Sequence, residues 1–345
     1  MRHCMAMSDR HVRLALQLCE TAGMPDFLDN LHHELRATGI PDAVAASNTA
    51  ALYDWLMAVF SFQGISDAVA RGYLATHGNA AYTDIEHMIG RQTTSCIKLT
   101  NFDAYQDCNF RKIARTCANP SELPRCPVGR LRLRNGRLNQ TAFALYLFMR
   151  DVCHGDLVGF IDRRLAEADR PDHPDRLATM RDALVGDLRR IHGVSNKILN
   201  MAFADLLLAG DPGRNTWRAV GASMIAIDTL VHNLLHRTGL IQRYGTVHSY
   251  GAACYRDDGC AGVVDRIARL IDARRFNPTF PSYFPRFVQH ALWRHCAAGE
   301  FDVCNGRQIP SGAKCKNDGC AVHRLCDRLP LKSSPLLPTE ANGAP

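Results

Sequence analysis

An all-α fold is what this sequence predicts, on three observations. Apolar residues recur at intervals of three and four over 52–62, 142–149, 180–191, 198–208, 227–235 and 263–271, the period that lines one face of a helix. Few segments alternate in the manner of a half-buried strand. The stretch 180–210 reads as helix, short glycine-containing turn, helix. A chain of 345 residues with 46% hydrophobic content has enough apolar material for one large core or two compact domains.

The N-terminal fifteen residues carry Arg2, His3, Asp9, Arg10, His11 and Arg13, so no secretory leader is expected there. No later segment offers eighteen consecutive apolar residues, and no membrane span is expected. A reducing cytoplasm follows as the expected compartment, and there the 14 cysteines point to metal more than to disulfides. Lys and Arg exceed Asp and Glu by 41 to 34, with arginine supplying most of the excess. Arginine suits bidentate phosphate contact and hints at a polyanionic partner, although a net +7 on this length is moderate.

The run LYDWLMAVFSFQGISDAVARGYL at 52–74 reads as an amphipathic helix, a polar break at 63–67 and a second helix. The segment 93–139 has four cysteines, three prolines and a basic run from Arg130 to Arg134, with no sustained period, and reads as an irregular insertion. A linker rich in Pro and Asp is expected at 168–176, and a loose Pro- and Ser-rich tail beyond 329. In the turn of the 180–210 hairpin, Gly193 suits a positive backbone dihedral and Ser195 or Asn196 can cap the second helix. Such a turn offers backbone N–H groups at a helix N-terminus, where a DNA phosphate can dock on Gly193, Val194, Ser195 and Asn196.

The segment IHGVSNK at 191–197 resembles the L-P-G-V-G-x-K hairpin of the endonuclease III family, within the helix-hairpin-helix (HhH-GPD) DNA glycosylase superfamily. IDTLVHNLLHRTG at 227–239 resembles the V-D-T-H element that follows it in that family. Ser195 stands where the family has its second hairpin glycine, Leu230 where it has histidine, and extra residues about 211–221 lengthen the spacing between the two elements. The resemblance implies that Lys197 is the catalytic lysine and Asp228 the catalytic aspartate. It also implies that Gln63 lies near the base stack and helps fill the space left by an extruded nucleotide; capping of the helix junction by Gln63 and Ser66 is the competing reading.

The chemistry asks for those residue types together. A lysine amine in a partly desolvated pocket can attack C1′ of a flipped nucleotide near neutral pH, and a carboxylate can take its proton and stabilise charge developing on the sugar. The resemblance therefore implies base-excision repair by a bifunctional DNA glycosylase and AP lyase acting on double-stranded DNA with a damaged or mismatched base. Two alternatives stay open: a monofunctional glycosylase in which Asp228 activates water, and a non-catalytic iron–sulfur DNA-binding protein.

Cys304, Cys315, Cys320 and Cys326 are four cysteines in 23 residues. Four thiolates in one loop suit a [4Fe–4S] cluster, and they also suit tetrahedral zinc. Cys296 competes with Cys304 as the first ligand. The endonuclease III family carries four cysteines in the same terminal place, with the last spacing the same and the first two shorter, so the resemblance implies a structural [4Fe–4S] cluster. Arg307 and Lys314 lie in that loop, where they can reach phosphates. The implied architecture is two-lobed: 51–221 as a helical barrel with the hairpin and an insertion about 93–139, 1–50 plus 222–330 as the cluster domain, and 331–345 as a flexible tail. A monomer is implied as well. Cys96, Cys108, Cys117 and Cys126 are spaced too widely for an ordinary zinc knuckle and read as a second metal site or as buried thiols. Cys254, Cys260, His232 and His236 are expected to pack or to face solvent.

Overall fold

A computed structural model of the chain describes residues 9–65, 67–90, 96–122 and 126–331. Among them, regular structure is helical apart from one two-stranded ribbon, Phe110–Arg111 with Thr116–Cys117. The chain divides into two units: one takes Phe27–Ala226, and the other joins the stretch up to Asp26 to the chain from Ile227 onward.

The first unit is built on Gly136–Leu147 and Asn196–Ala209, two helices whose residues are buried on nearly every side. Both are apolar around most of their circumference, as a helix inside a core requires. Thr49–Phe60 packs on both through Leu52, Leu56, Met57 and Phe60, and its Tyr53 hydroxyl donates to the Ala142 carbonyl at 3.0 Å. Side chains of Asn48, Asn135 and Asp156 accept amide protons at the N-termini of their helices, each satisfying a donor that the helix cannot.

The boundary differs from the sequence expectation. Helices Phe27–Ala37 and Ile40–Ala45 lie in the hairpin unit, not with the cysteine-rich C-terminal chain. The reason is apolar contact: Leu28, Leu31 and Leu35 are buried, their helix packs on Asn196–Ala209, and Val44 approaches Gly210 closely enough to crowd any added side chain. Asn215–Ser223 also packs on Asn196–Ala209 and carries the unit to Ala226.

In the second unit Pro285–Cys296 is central, touching Arg10–Ala22, Thr229–Thr238 and Cys260–Ala268. Phe276, Phe280, Phe284 and Phe287 form an aromatic cluster at its start. The chain from Val303 to Leu331 has no regular helix or strand. The expected tail beyond Leu331 lies outside the described residues. Among the described residues, no helix is long and apolar enough to cross a membrane.

Candidate functional site

The hairpin consists of Arg176–Leu188, a turn, and Asn196–Ala209. Gly193 sits in the left-handed region at φ +85°, and a Cβ there would stand 2.3 Å from Thr141 Oγ1, so both conformation and space demand glycine. Thr141 in turn donates to the His192 carbonyl at 2.8 Å. Ser195 caps the second helix, its hydroxyl accepting from the Ile198 amide. Asn196 and Lys197 follow as the first two helical residues and are half-exposed. The Lys197 amine has no ion-pair partner among the described residues.

Gln63 has a different place from the one expected of a base-stack wedge. Its amide nitrogen donates to the Gly193 carbonyl at 2.6 Å and its amide oxygen accepts from the Ser195 N–H at 2.6 Å. Both polar ends of the side chain are thus spent on holding the turn. Ser66, its partner in the competing cap reading, lies outside the described residues. The Ser195 amide is correspondingly not free for a phosphate, which leaves the amides at the start of Asn196–Ala209 as the anion-facing donors of this hairpin.

Beside the turn runs a groove of about 940 Å³, lined by Gln63, Gly64, the ribbon tip 110–115 and residues 134–138. Arg111, Lys112 and Arg137 stand exposed along it, and Ile113 at the ribbon tip is fully exposed. Arg134 is committed, donating to the carbonyls of Ser61 and Gln63, and Arg115 donates to the Arg134 carbonyl. The cations that face the groove therefore come mostly from the ribbon, not from the 130–134 basic run.

Asp228 belongs to the other unit. It is the N-cap of Thr229–Thr238, its Oδ1 accepting from the Val231 amide at 2.9 Å, and it is half-exposed. The preceding Ile227 is held on both sides of its peptide: its N–H donates to the Tyr255 hydroxyl at 2.9 Å, and Tyr250 and Tyr255 hydroxyls reach its carbonyl at 3.5 Å. Burial, with the Asp228 charge contributing, pushes both phenols above their ordinary range, so they remain protonated hydrogen-bonding groups.

Cys304, Cys315, Cys320 and Cys326 all line one small cavity of about 20 Å³, whose other walls include Leu234, Val303, Ile309 and Val322. Cys296 is fully buried outside that lining, hydrogen-bonded to Cys304, whose thiol is drawn down chiefly by that bond. Of the two, Cys304 is the one that shares the cavity with Cys315, Cys320 and Cys326. The Arg328 amide donates to Cys326 Sγ at 3.3 Å, amides of Val322 and His323 approach Cys320, and the Arg237 cation acts on Cys304. Donors of this kind stabilise an anionic thiolate centre. Arg237 itself is 2% exposed and donates to the carbonyls of Ile309, Pro310 and Ala313. Arg307 and Lys314 are exposed, with Arg307 paired to Asp302 at 3.1 Å.

A second donor set was not expected to bind anything. His232, His248, Cys254 and Cys260 bring four ligand atoms within 4.8 Å of one another and can hold a metal ion. His236 is excluded from the group; its ring stacks on His232 at 4.3 Å, and burial, reinforced by His232 and His248, pushes its pKa down to about 4. Cys254 is drawn down to about 3, first by the hydrogen bond from Cys260, while Cys260 is pushed up by donating it. Spacing alone concealed the group: His248, Cys254 and Cys260 lie six residues apart in turn, but His232 is a helix position whose inward turn only packing decides.

In the insertion, Cys96, Cys108, Cys117 and Cys126 line one small cavity of about 70 Å³. Burial raises the thiols of Cys96, Cys108 and Cys126. Compared with protein-family models, curated proteins and solved structures, the chain finds no match.

Proposed function

We propose that this protein is a DNA glycosylase that everts a damaged or mismatched base from double-stranded DNA, cleaves its glycosidic bond with Lys197 and Asp228, and then cuts the abasic site as a lyase. The observation that carries the reading is the turn 193–195. It is glycine-dependent and locked from Gln63, which itself lines a groove edged by Arg111, Lys112 and Arg137, and it leads directly into the helix start that carries Lys197. A helix N-terminus beside exposed cations suits a phosphate backbone.

In this reaction the deprotonated Lys197 amine gives its lone pair to C1′. The C1′–N bond breaks, and its electron pair leaves with the base, which takes up a proton. The C1′–O4′ bond then opens to a protonated Schiff base, and loss of a C2′ proton supplies the electrons that expel the 3′ phosphate. Asp228 accepts the lysine proton and offsets charge building on the sugar; its Oδ1 bond to the helix amide fixes the carboxylate plane. Cys304, Cys315, Cys320 and Cys326 would hold a [4Fe–4S] cluster, whose closed ligand set gives it a structural part in pinning the loop.

Borohydride trapping on oligonucleotides carrying oxidised, deaminated, alkylated or mismatched bases tests this. The native protein should form a covalent adduct that Lys197→Gln abolishes, and Asp228→Asn should slow base release by roughly 10²–10⁴ while duplex binding persists. Base release without an adduct would transfer the chemistry to water activated by Asp228. Duplex binding without release from any substrate would leave a non-catalytic binding protein.

A further inference from the structure

We infer that His232, His248, Cys254 and Cys260 form a structural zinc site, separate from the C-terminal cysteine loop. His232 Nδ1 lies 3.3 Å from Cys260 Sγ and 3.5 Å from Cys254 Sγ, and Cys260 Sγ lies 3.3 Å from His248 Nε2. Zinc held tetrahedrally by two sulfurs and two nitrogens at ordinary bond lengths places its ligand atoms about 3.3–3.8 Å apart. These three separations fall in that interval, and all four ligand atoms lie within 4.8 Å of one another.

A metal-free network accounts for the geometry less well. A chain of hydrogen bonds needs contact only between successive members, whereas here every pair of ligand atoms lies within 4.8 Å. Four ligand atoms gathered this closely are what a single cation requires. The set is too tight for a multi-iron cluster, in which each cysteine binds a separate iron. Two imidazoles and two thiolates of this borderline softness suit zinc, and four protein ligands close its coordination shell. Both sulfurs bind as thiolates.

The position explains what the ion does. His232 lies one turn after the Asp228 cap on Thr229–Thr238. The other three ligands come from the chain at 248–260, which also carries Tyr250 and Tyr255 to the Ile227 peptide. That stretch has only the short turn Ala252–Tyr255 before its next helix, so its apolar burial is small. A metal crosslink there fastens an irregular segment to the helix start where hydrogen bonds alone are few.

The test is metal content and cobalt spectroscopy on the full-length protein. Wild type should lose one zinc per chain on going to the Cys254→Ser/Cys260→Ser double variant, with iron unchanged, and the control His236→Gln should lose none. Cobalt substituted into the wild type should give tetrahedral ligand-field bands with thiolate charge transfer that the double variant lacks. Should the double variant fail to fold, the ligand swap His248→Cys decides: it should keep the ion and raise thiolate charge transfer roughly 1.5-fold, from two sulfurs to three. Equal zinc in wild type and double variant, or a cobalt spectrum that His248→Cys leaves unchanged, overturns the assignment.

Discussion

Replacing Gln63 by leucine separates two roles for this residue. The side chain supplies one hydrogen bond to the Gly193 carbonyl and one to the Ser195 amide, both at 2.6 Å and part-buried. Leucine has nearly the same volume but leaves both backbone groups without a partner, at a cost of about 1–2 kcal/mol each in a half-buried setting and so about 2–4 kcal/mol together. Because the molecule has two units, a global unfolding midpoint is a poor readout. Amide exchange of the turn reports the local free energy directly. Exchange at 193–198 should quicken by roughly thirtyfold to several hundredfold in Gln63→Leu, since each 1.4 kcal/mol is a factor of ten. Gln63→Glu keeps an acceptor for Ser195 but turns a carboxylate oxygen toward the Gly193 carbonyl, and it should fall between the two. If turn exchange were unchanged while base release dropped, Gln63 would be acting on the base stack and the locking argument would be refuted.

Three further outcomes follow from particular side chains. Arg237→Met strands the carbonyls of Ile309, Pro310 and Ala313; the cysteine loop should lose about 2–4 kcal/mol, seen as faster amide exchange across 309–313. Replacing Arg111, Lys112 and Arg137 together by serine should weaken duplex binding irrespective of sequence and flatten the slope of log K against log salt by about 2.7, at about 0.9 for each phosphate no longer neutralised. Burial, with the charges of Arg286 and Arg294, pushes His290 down to about 3. The unfolded chain therefore binds more protons than the folded one between pH 6.5 and 3, and stability should fall with acid by up to about 1.4 kcal/mol per pH unit in that window. His290→Gln should remove the His290 share of that slope, making the loss of stability between pH 7 and pH 4 smaller than in the native protein in paired denaturant titrations.

What could be read in advance was local. The helical period, the Gly193 turn and the Ser195 cap depend on neighbours within a few residues, and the terminal cysteines lie in one short loop. What could not be read depended on distant partners. Gln63 meets the turn across 130 residues, and nothing near it in sequence marks its amide as taken. Arg134, in a run that looks like a phosphate stripe, is consumed by two carbonyls, while Arg111 and Lys112 gain prominence from a two-residue ribbon too short to announce itself. His232 and His236 are equivalent by spacing, and only the fold turns one of them toward Cys254 and Cys260.

Thr229–Thr238 shows why the second unit needs such fastenings. A helix of ten residues is too short to persist on propensity alone, yet it carries the Asp228 carboxylate at its first position. Its N-terminal half is held by the cap bond, by Ile227 and by the histidine–cysteine group. Its C-terminal half is held by the cysteine loop: Leu329 donates to the Arg237 carbonyl at 2.8 Å and Asp327 to the Thr238 carbonyl at 3.3 Å. At the end, Gly239 takes φ +84° where a Cβ would strike Asp327. Each end of the helix is therefore fixed by a segment with little regular structure of its own, and a metal held by the cysteines those segments carry would make them rigid enough to serve. A carboxylate that must keep one orientation has to stand on an element with both ends held, and in this unit that element is the helix between the two cysteine-rich sites.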